Sequence, residues 1–385
     1  MQRRHLLRIL GGGVITAATL GATGCSKALP EGALLAWQGP QEEADLRRWV
    51  LSHALLAPHS HNLQSWLVDL SVPDQITLHL DRTRLLPETD PLSRQMLMSQ
   101  GTFIELLDQA ARQRGHRADI TLFPDGVFAA DAVDDRPTAR IRLVPDASQR
   151  PDPLFAQVFL RHTNREMYEA TAPSPSAMAA IVAAGGGPSM RAGVSTAADG
   201  DSFARQRDIA KAAWRIELTT PRTVLESYRW LRIGPDEITR HRDGLSLNDP
   251  LVRLMDATGV FDRTVAPGPD DMATTGQLDD FNRKIDGTPA FYWLVTQGND
   301  RPTQIAAGRA WVRAQLAATA QGLAMQPISQ ALQEYPEMRD LYAEIHALLG
   351  APAPAHTVQM WARLGKGPTV QPAPRRGLAP LLIKA

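Results

Sequence analysis

Cysteine is nearly missing from these 385 residues: Cys25 stands alone. That excludes an internal disulfide and any thiolate zinc cluster. An excess of one charge is missing too, since 41 Lys+Arg balance 41 Asp+Glu. No global field draws the chain to nucleic acid or to an anionic membrane, and no basic block with interleaved aromatics is present. Nucleic-acid binding is therefore not expected. Long apolar runs are absent as well. The twelve residues "ILGGGVITAATL" would reach about 18 Å as a helix, short of a hydrocarbon core of about 30 Å. Neither glycine triple, 11–13 or 185–187, is followed by Lys-Ser/Thr, so neither is a phosphate-cradling P-loop. His53, His59 and His61 have no acidic or Cys ligands beside them, and His53 lies on an apolar helix stripe, so no metal site is expected. "GDSFA" at 200–204 has a serine-hydrolase look but no late Asp and His at matching spacing.

What is present begins with the N-terminus. "MQRRHLLR", a mildly apolar stretch and "GATGC" form a targeting segment over residues 1–25, to be kept out of the fold. Arg3-Arg4 before a Gly/Thr-softened apolar run resembles a twin-arginine signal, which implies export of an already folded protein to the periplasm by the twin-arginine machinery. Cys25 follows small residues at the end of that run, the place where bacterial lipoproteins are cleaved and acylated. The alternatives are a membrane anchor at Cys25 or a cysteine that is discarded or unmodified.

The remainder reads as two α+β units, 26–150 and 151–385. "EEADLRRWVLSHALLA" carries Leu46, Trp49, Val50, His53 and Leu56 on one helical stripe. Strands are expected at "SWLVDLSV", "QITLHLD", "ADITLF" and "ARIRLVP", with a helix over 94–115 between the second and third. A matching late helix is "TQIAAGRAWVRAQLAATAQG". An offset of 207 residues places Gly101 on Gly308, Ala110-Ala111 on Ala317-Ala318 and Gly115 on Gly322. The order helix, polar loop, strands, helix, Gly, strand repeats around it, which points to a degenerate duplication. Extra material at about 215–290 mixes short helices with Pro/Gly/Asp turns and is either a lid or a solvated excursion.

Three stretches carry chemistry. In "APHSHNLQSW", Pro58 breaks a helix and Ser60, Asn62 and Gln64 follow as hydrogen-bonding groups. In "FLRHTNREMY", Arg161 and Arg165 are four apart with His162 and Thr163 between. On a helix both guanidiniums would leave by one face and suit a phosphate dianion; an ordinary surface helix has the same spacing. "GLAMQPISQ" places Met325, Gln326 and Pro327 after the late helix, which a plain helix stop also explains.

Together, Arg-x-Thr-x-Arg, the Ser/His-x-Asn-x-Gln-x-Trp loop and "AATAQGLAMQPISQ" resemble the nitroreductase-like FMN-binding family over roughly residues 42–380. Ordinary members carry both motifs in one subunit and build flavin sites between two subunits. Here the first half has the Asn/Gln loop and no basic motif, and the second has the basic motif and no Asn-x-Gln. That complementary loss resembles the single-chain tandem (Acg-type) branch, a fused dimer keeping one flavin site as a monomer. The resemblance implies a nitroreductase-like fold and one FMN. Asn62, Gln64 and Ser60 would sit at its pyrimidine edge, and Arg161, His162, Thr163 and Arg165 at its phosphate. Met325, Gln326 and Pro327 would lie near N5, and Arg363 and Arg375 would close the phosphate site. Ser65 stands where the family has Pro, which implies a looser loop. The implied activity is FMN-dependent oxidoreduction of a small electron-poor acceptor by an unidentified donor; the alternative is an FMN-sequestering protein with little turnover.

Overall fold

The computed structural model describes residues 27–40 and 42–383. Arg3, Arg4 and Cys25 lie outside the described residues. After a short helical stretch over Glu31–Leu34 and Leu35–Gln38, the first half continues with helix Leu46–Ala54, whose N-cap Asp45 accepts from Arg47 N at 2.8 Å. Strands β1 (Trp66–Asp69) and β2 (Gln75–Leu80) follow, then the first central helix Arg94–Gln113, then β3 (His116–Leu122) and β4 (Ala139–Pro145). They form an antiparallel sheet in the order β1-β2-β4-β3.

The second half repeats this plan. Helix Pro175–Gly185 leads to β5 (Met190–Thr196), and the chain then leaves on an insertion before returning. Within the insertion β6 (Leu231–Ile233) and β7 (Leu245–Leu247) pair parallel, their crossover supplied by helix Gly234–His241. After it come β8 (Ala290–Gln297), the second central helix Arg301–Ala320, β9 (Ala324–Pro327) and β10 (His356–Gly365). The sheet order β5-β8-β10-β9 is the first order with each strand replaced by its counterpart. Two tandem α+β halves are thus a property of the structure. Gly115 and Gly322 end the central helices in the same left-handed conformation, φ +66° and +68°, where the missing Cβ removes the usual penalty.

The two central helices lie against each other, and their contact is reciprocal. A Cβ on Gly101 would stand 2.0 Å from the carbonyl oxygen of Ile305, and one on Gly308 would stand 1.9 Å from that of Met98. Met98 and Ile305 are themselves separated by the same 207 positions as the two glycines. One contact is therefore made twice, in opposite senses, as across the two-fold axis of a homodimer. Arg94 and Arg301 share that offset and cross between halves. Arg94 donates to Leu332 O and Gln359 O in the second half, and Arg301 to Leu92 O, Ala129 O and Ala132 O in the first. Guanidiniums buried this way are tolerable because backbone carbonyls take their protons and, for Arg94, Glu334 supplies a carboxylate at 3.2 Å.

The insertion is longer than its sequence suggested. It runs from the end of β5 to the start of β8, residues 197–289, and adds helix Asp201–Thr219 ahead of the expected start. It has its own small core of Leu218, Val224, Tyr228, Leu231, Ile233 and Leu278. The C-terminal tail returns to the first half, where Leu382 bridges Val68 in parallel and Ile383 N donates to Val68 O at 2.8 Å. Among the described residues no helix is long and apolar enough to cross a membrane.

Candidate functional site

The loop after the first helix is built on unusual backbone. His61, Asn62 and Gln64 have φ of 48°, 54° and 54°, left-handed values that non-glycine residues adopt only when surroundings hold them there. Leu63 and Trp66 turn inward, and the Trp66 indole donates to Ser99 O at 3.1 Å. His59 Nδ1–H donates to Ser60 O at 2.8 Å. Its Nε2 then accepts from Ser65 N at 3.1 Å and from the Ser65 hydroxyl at 2.6 Å. Burial pushes the His59 pKa down to about 3, so the ring stays neutral and this tautomer is the one its partners require. Ser65 therefore locks the loop, where its replacement of Pro had implied looseness. His53 packs among Trp49, Phe155 and Phe159.

Asn62 and Gln64 do not present free amides. Asn62 Nδ2 donates to Gly244 O (3.2 Å) and Pro374 O (3.1 Å), while its Oδ1 accepts from Arg375 Nη1 at 2.5 Å. Gln64 Nε2 donates to Arg242 O at 2.9 Å, and its Oε1 accepts from Arg376 N at 2.9 Å. The pair ties the loop to the insertion on one side and to the C-terminal tail on the other. Ser60 reaches Gln95 Oε1 and Ser99 Oγ, both at 3.3 Å.

The basic motif is extended, not helical, so Arg161 and Arg165 do not share a helix face. Thr163 bridges Met325 in parallel and Asn164 N donates to Met325 O at 3.4 Å, which brings the motif and the late turn together through backbone. Arg161 is buried; it donates to Leu56 O at 2.9 Å and to Gln315 Oε1 at 3.2 Å. Arg375 arrives from the tail and donates to the same Leu56 O at 3.3 Å and to Ala57 O at 3.1 Å. Both guanidiniums flank the Trp37 ring, at 5.9 and 5.2 Å from its centroid.

No carboxylate among the described residues pairs with either arginine, and the buried Nε of each has no acceptor. Burial lowers the Arg161 pKa to about 10; burial and then the Arg161 charge lower that of Arg375 to about 9. Two cations share one carbonyl and are short of an anion. His162, beside them, is also depressed by burial and by Arg161.

Arg165 differs. It is exposed to solvent and makes no hydrogen bond or ion pair with a described residue, while the surrounding protein lowers its pKa. His61 lies near enough to feel that charge and is held neutral, its pKa pushed to about 4 by burial and then by Arg165. The His61 Nε2 meets Ser227 Oγ of the insertion at 3.0 Å.

Arg363 does not join Arg161 and Arg375. From β10 it donates to Gln326 Oε1 (2.5 Å), Thr288 Oγ1 (2.8 Å) and Glu166 O (3.0 Å), with its guanidinium 4.1 Å from the Tyr168 ring centroid. It braces the late turn, where Met325 and Pro327 pair with Leu364 and Ala362. Trp37, Gln315 and the insertion residues 242–244 also belong to this neighbourhood. In the sequence nothing singled out Trp37 or Gln315, and 242–244 fell only within the Pro/Gly/Asp-rich stretch at about 215–290.

No family model matches the chain. It is 28% identical over 351 residues to a putative NAD(P)H nitroreductase of Mycobacterium tuberculosis, seen in two strains, a match spanning 88% of this chain and 91% of the relative. Among solved structures, the FMN-dependent nitroreductase NfnB from Mycobacterium smegmatis in complex with NADPH is 19% identical. That match covers 54% of this chain and 84% of that one, with a TM-score of 0.32. The FMN and NADPH-dependent nitroreductase NfnB of Sphigopyxis sp. strain HMH is 17% identical over 61% of this chain and 99% of that one, with a TM-score of 0.37.

Proposed function

We propose that this chain is a nitroreductase-like, FMN-dependent oxidoreductase that holds one flavin between its halves and passes electrons to a small electron-poor acceptor. The mycobacterial relative supports the reading because the likeness runs nearly end to end in both chains. The observation that carries it is the Arg161–Arg375 pair. Two desolvated guanidiniums with no carboxylate partner suit a phosphate dianion, to which each can present the Nε–H that has no acceptor. Thr163 adds a hydroxyl to that end. Arg165, without a partner among the described residues, would add its positive charge to the flavin site, and Met325, Gln326 and Pro327 sit on the strand bridged to the motif. The bound FMN supplies the electron-transfer chemistry. The protein's own groups bind its phosphate, orient its ring and restrict water.

A second reading, flavin holding with little turnover, is favoured by the insertion's bonds to the Asn62 loop. The two readings separate under a donor-independent test. The FMN-loaded protein is reduced with dithionite without oxygen, then mixed with a nitroaromatic or a quinone. Reoxidation that accelerates with acceptor concentration is expected; reduced flavin that ignores the acceptor makes the protein a flavin store. This design matters because residues 1–25 are proposed to send a folded monomer to the periplasm through the twin-arginine machinery, with Cys25 as an acylated anchor. NAD(P)H, named for the relatives, is a cytoplasmic donor, whereas a non-covalent flavin must be loaded before export.

A further inference from the structure

The insertion meets the Asn62 loop with three consecutive residues. Arg242 O accepts from Gln64 Nε2 at 2.9 Å, and Gly244 both donates to Asn62 O at 3.1 Å and accepts from Asn62 Nδ2 at 3.2 Å. Between them Asp243, 1% exposed, takes Arg84 Nη1 of the first half at 2.6 Å and Arg232 Nε of the insertion at 2.7 Å. Arg84 Nη1 also donates to Leu63 O at 3.1 Å, inside the loop itself. The two guanidiniums bracket the Trp230 ring at 5.6 and 5.4 Å. Gly244, at φ +67°, passes so close that a Cβ would stand 2.2 Å from Trp230 O, so this path admits only glycine.

The receiving loop holds three non-glycine residues in left-handed conformations. The His59–Ser65 bonds tie its two ends together from inside, while the side chains of Asn62 and Gln64 are held from outside, by the insertion and the tail. From this juxtaposition we propose that Asp243 is a positioning residue for the flavin site, and that the 242–244 hook makes the insertion a wall of that site instead of a detachable lid. Asp243 acts through Arg84 and through its neighbours' backbone, fixing His61, Asn62 and Gln64 without touching the cofactor. The proposal rests on the FMN reading. It also reverses a simple expectation: shortening residues 240–275 to uncover the ring would remove the hook and dismantle the loop.

The test compares Asp243→Asn with the parent for FMN affinity, riboflavin affinity and the visible circular dichroism of the bound flavin. Amide hydrogen exchange at residues 61–64 is followed without flavin. Asp243→Asn should weaken FMN and riboflavin by the same factor, about tenfold, alter the flavin dichroism and speed exchange in the loop. Gly244→Ala, which displaces the hook with every charge kept, should do the same. Asp249→Asn, which breaks the insertion's pair with Lys27, should change none of these. Parent-like affinity, dichroism and exchange in folded Asp243→Asn would overturn the proposal. Should the parent bind no flavin, the FMN reading falls by itself, and loop exchange still decides whether Asp243 positions 61–64.

Discussion

Arg161→Met is expected to weaken FMN binding by about 10- to 150-fold and to leave riboflavin within about twofold. The lower and upper limits correspond to losing a charge-assisted hydrogen bond of about 1.5–3 kcal/mol. Riboflavin lacks the phosphate, so it is blind to the change if Arg161 serves that group. The free protein should behave in the opposite sense. Burial holds the Arg161 pKa near 10, below that of an exposed guanidinium. A cation whose folded pKa is lowered is less welcome in the fold than in the unfolded chain, so its charge is a cost until an anion arrives. Met keeps the apolar stem against Trp37, and Leu56 O retains Arg375 as a donor. The flavin-free melting temperature should therefore not fall. Calorimetric titration with both ligands, beside thermal melts of the free protein, checks the pair of outcomes. Equal weakening of FMN and riboflavin, with a lowered melting temperature, would make Arg161 a structural residue.

Gly308→Ala should destabilise the protein severely although it places a better helix former in a helix. Propensity alone would favour Ala by about 1 kcal/mol. The added Cβ, however, would lie 1.9 Å from Met98 O, and that oxygen belongs to the backbone of a helix buried on every side. The helices must separate, and overpacking of this kind costs about 1–3 kcal/mol or more. Gly101→Ala meets Ile305 O at 2.0 Å and should cost a similar amount. Because both substitutions push the same two helices apart, the double variant should cost less than the sum. Gly322→Ala is the comparison: nothing lies within 4 Å of its Cβ position, so only the left-handed backbone is penalised, by about 1–2 kcal/mol. Denaturant unfolding of the four variants reads this order. A stabilised Gly308→Ala would mean that the helices do not meet at these glycines.

The duplication was legible because it rests on local composition. Gly101 and Gly308 are spelled out by a fixed offset, and the packing that needs them is the same packing twice. The Asn62 loop was legible as a polar break in an apolar pattern, but its purpose was not. Its amides are spent on Gly244, Pro374 and Arg376, partners nearly 200 or more than 300 residues away, which no periodicity can announce. The same distance hid Arg375 behind a loose resemblance, while Arg363, alike in sequence, braces Gln326 from a strand. Spacing misled at Arg161 and Arg165, because Thr163 and Asn164 are drawn into backbone contact with Met325 and the helix that would align the arginines never forms. Ser65 misled in the other direction: without its hydroxyl–imidazole bond in view, a missing proline reads as slack.

The account turns on two halves that share a single cofactor site. The most direct measurement saturates the purified chain with FMN, removes the excess, denatures the protein and counts the released flavin against protein. The expected result is one FMN per chain, since the Arg161–Arg375 pair and the Asn62 loop occur together once among the described residues. Two flavins per chain would restore a symmetric pair of sites, and none would remove the anion that the buried arginines are held to require; either contradicts the account.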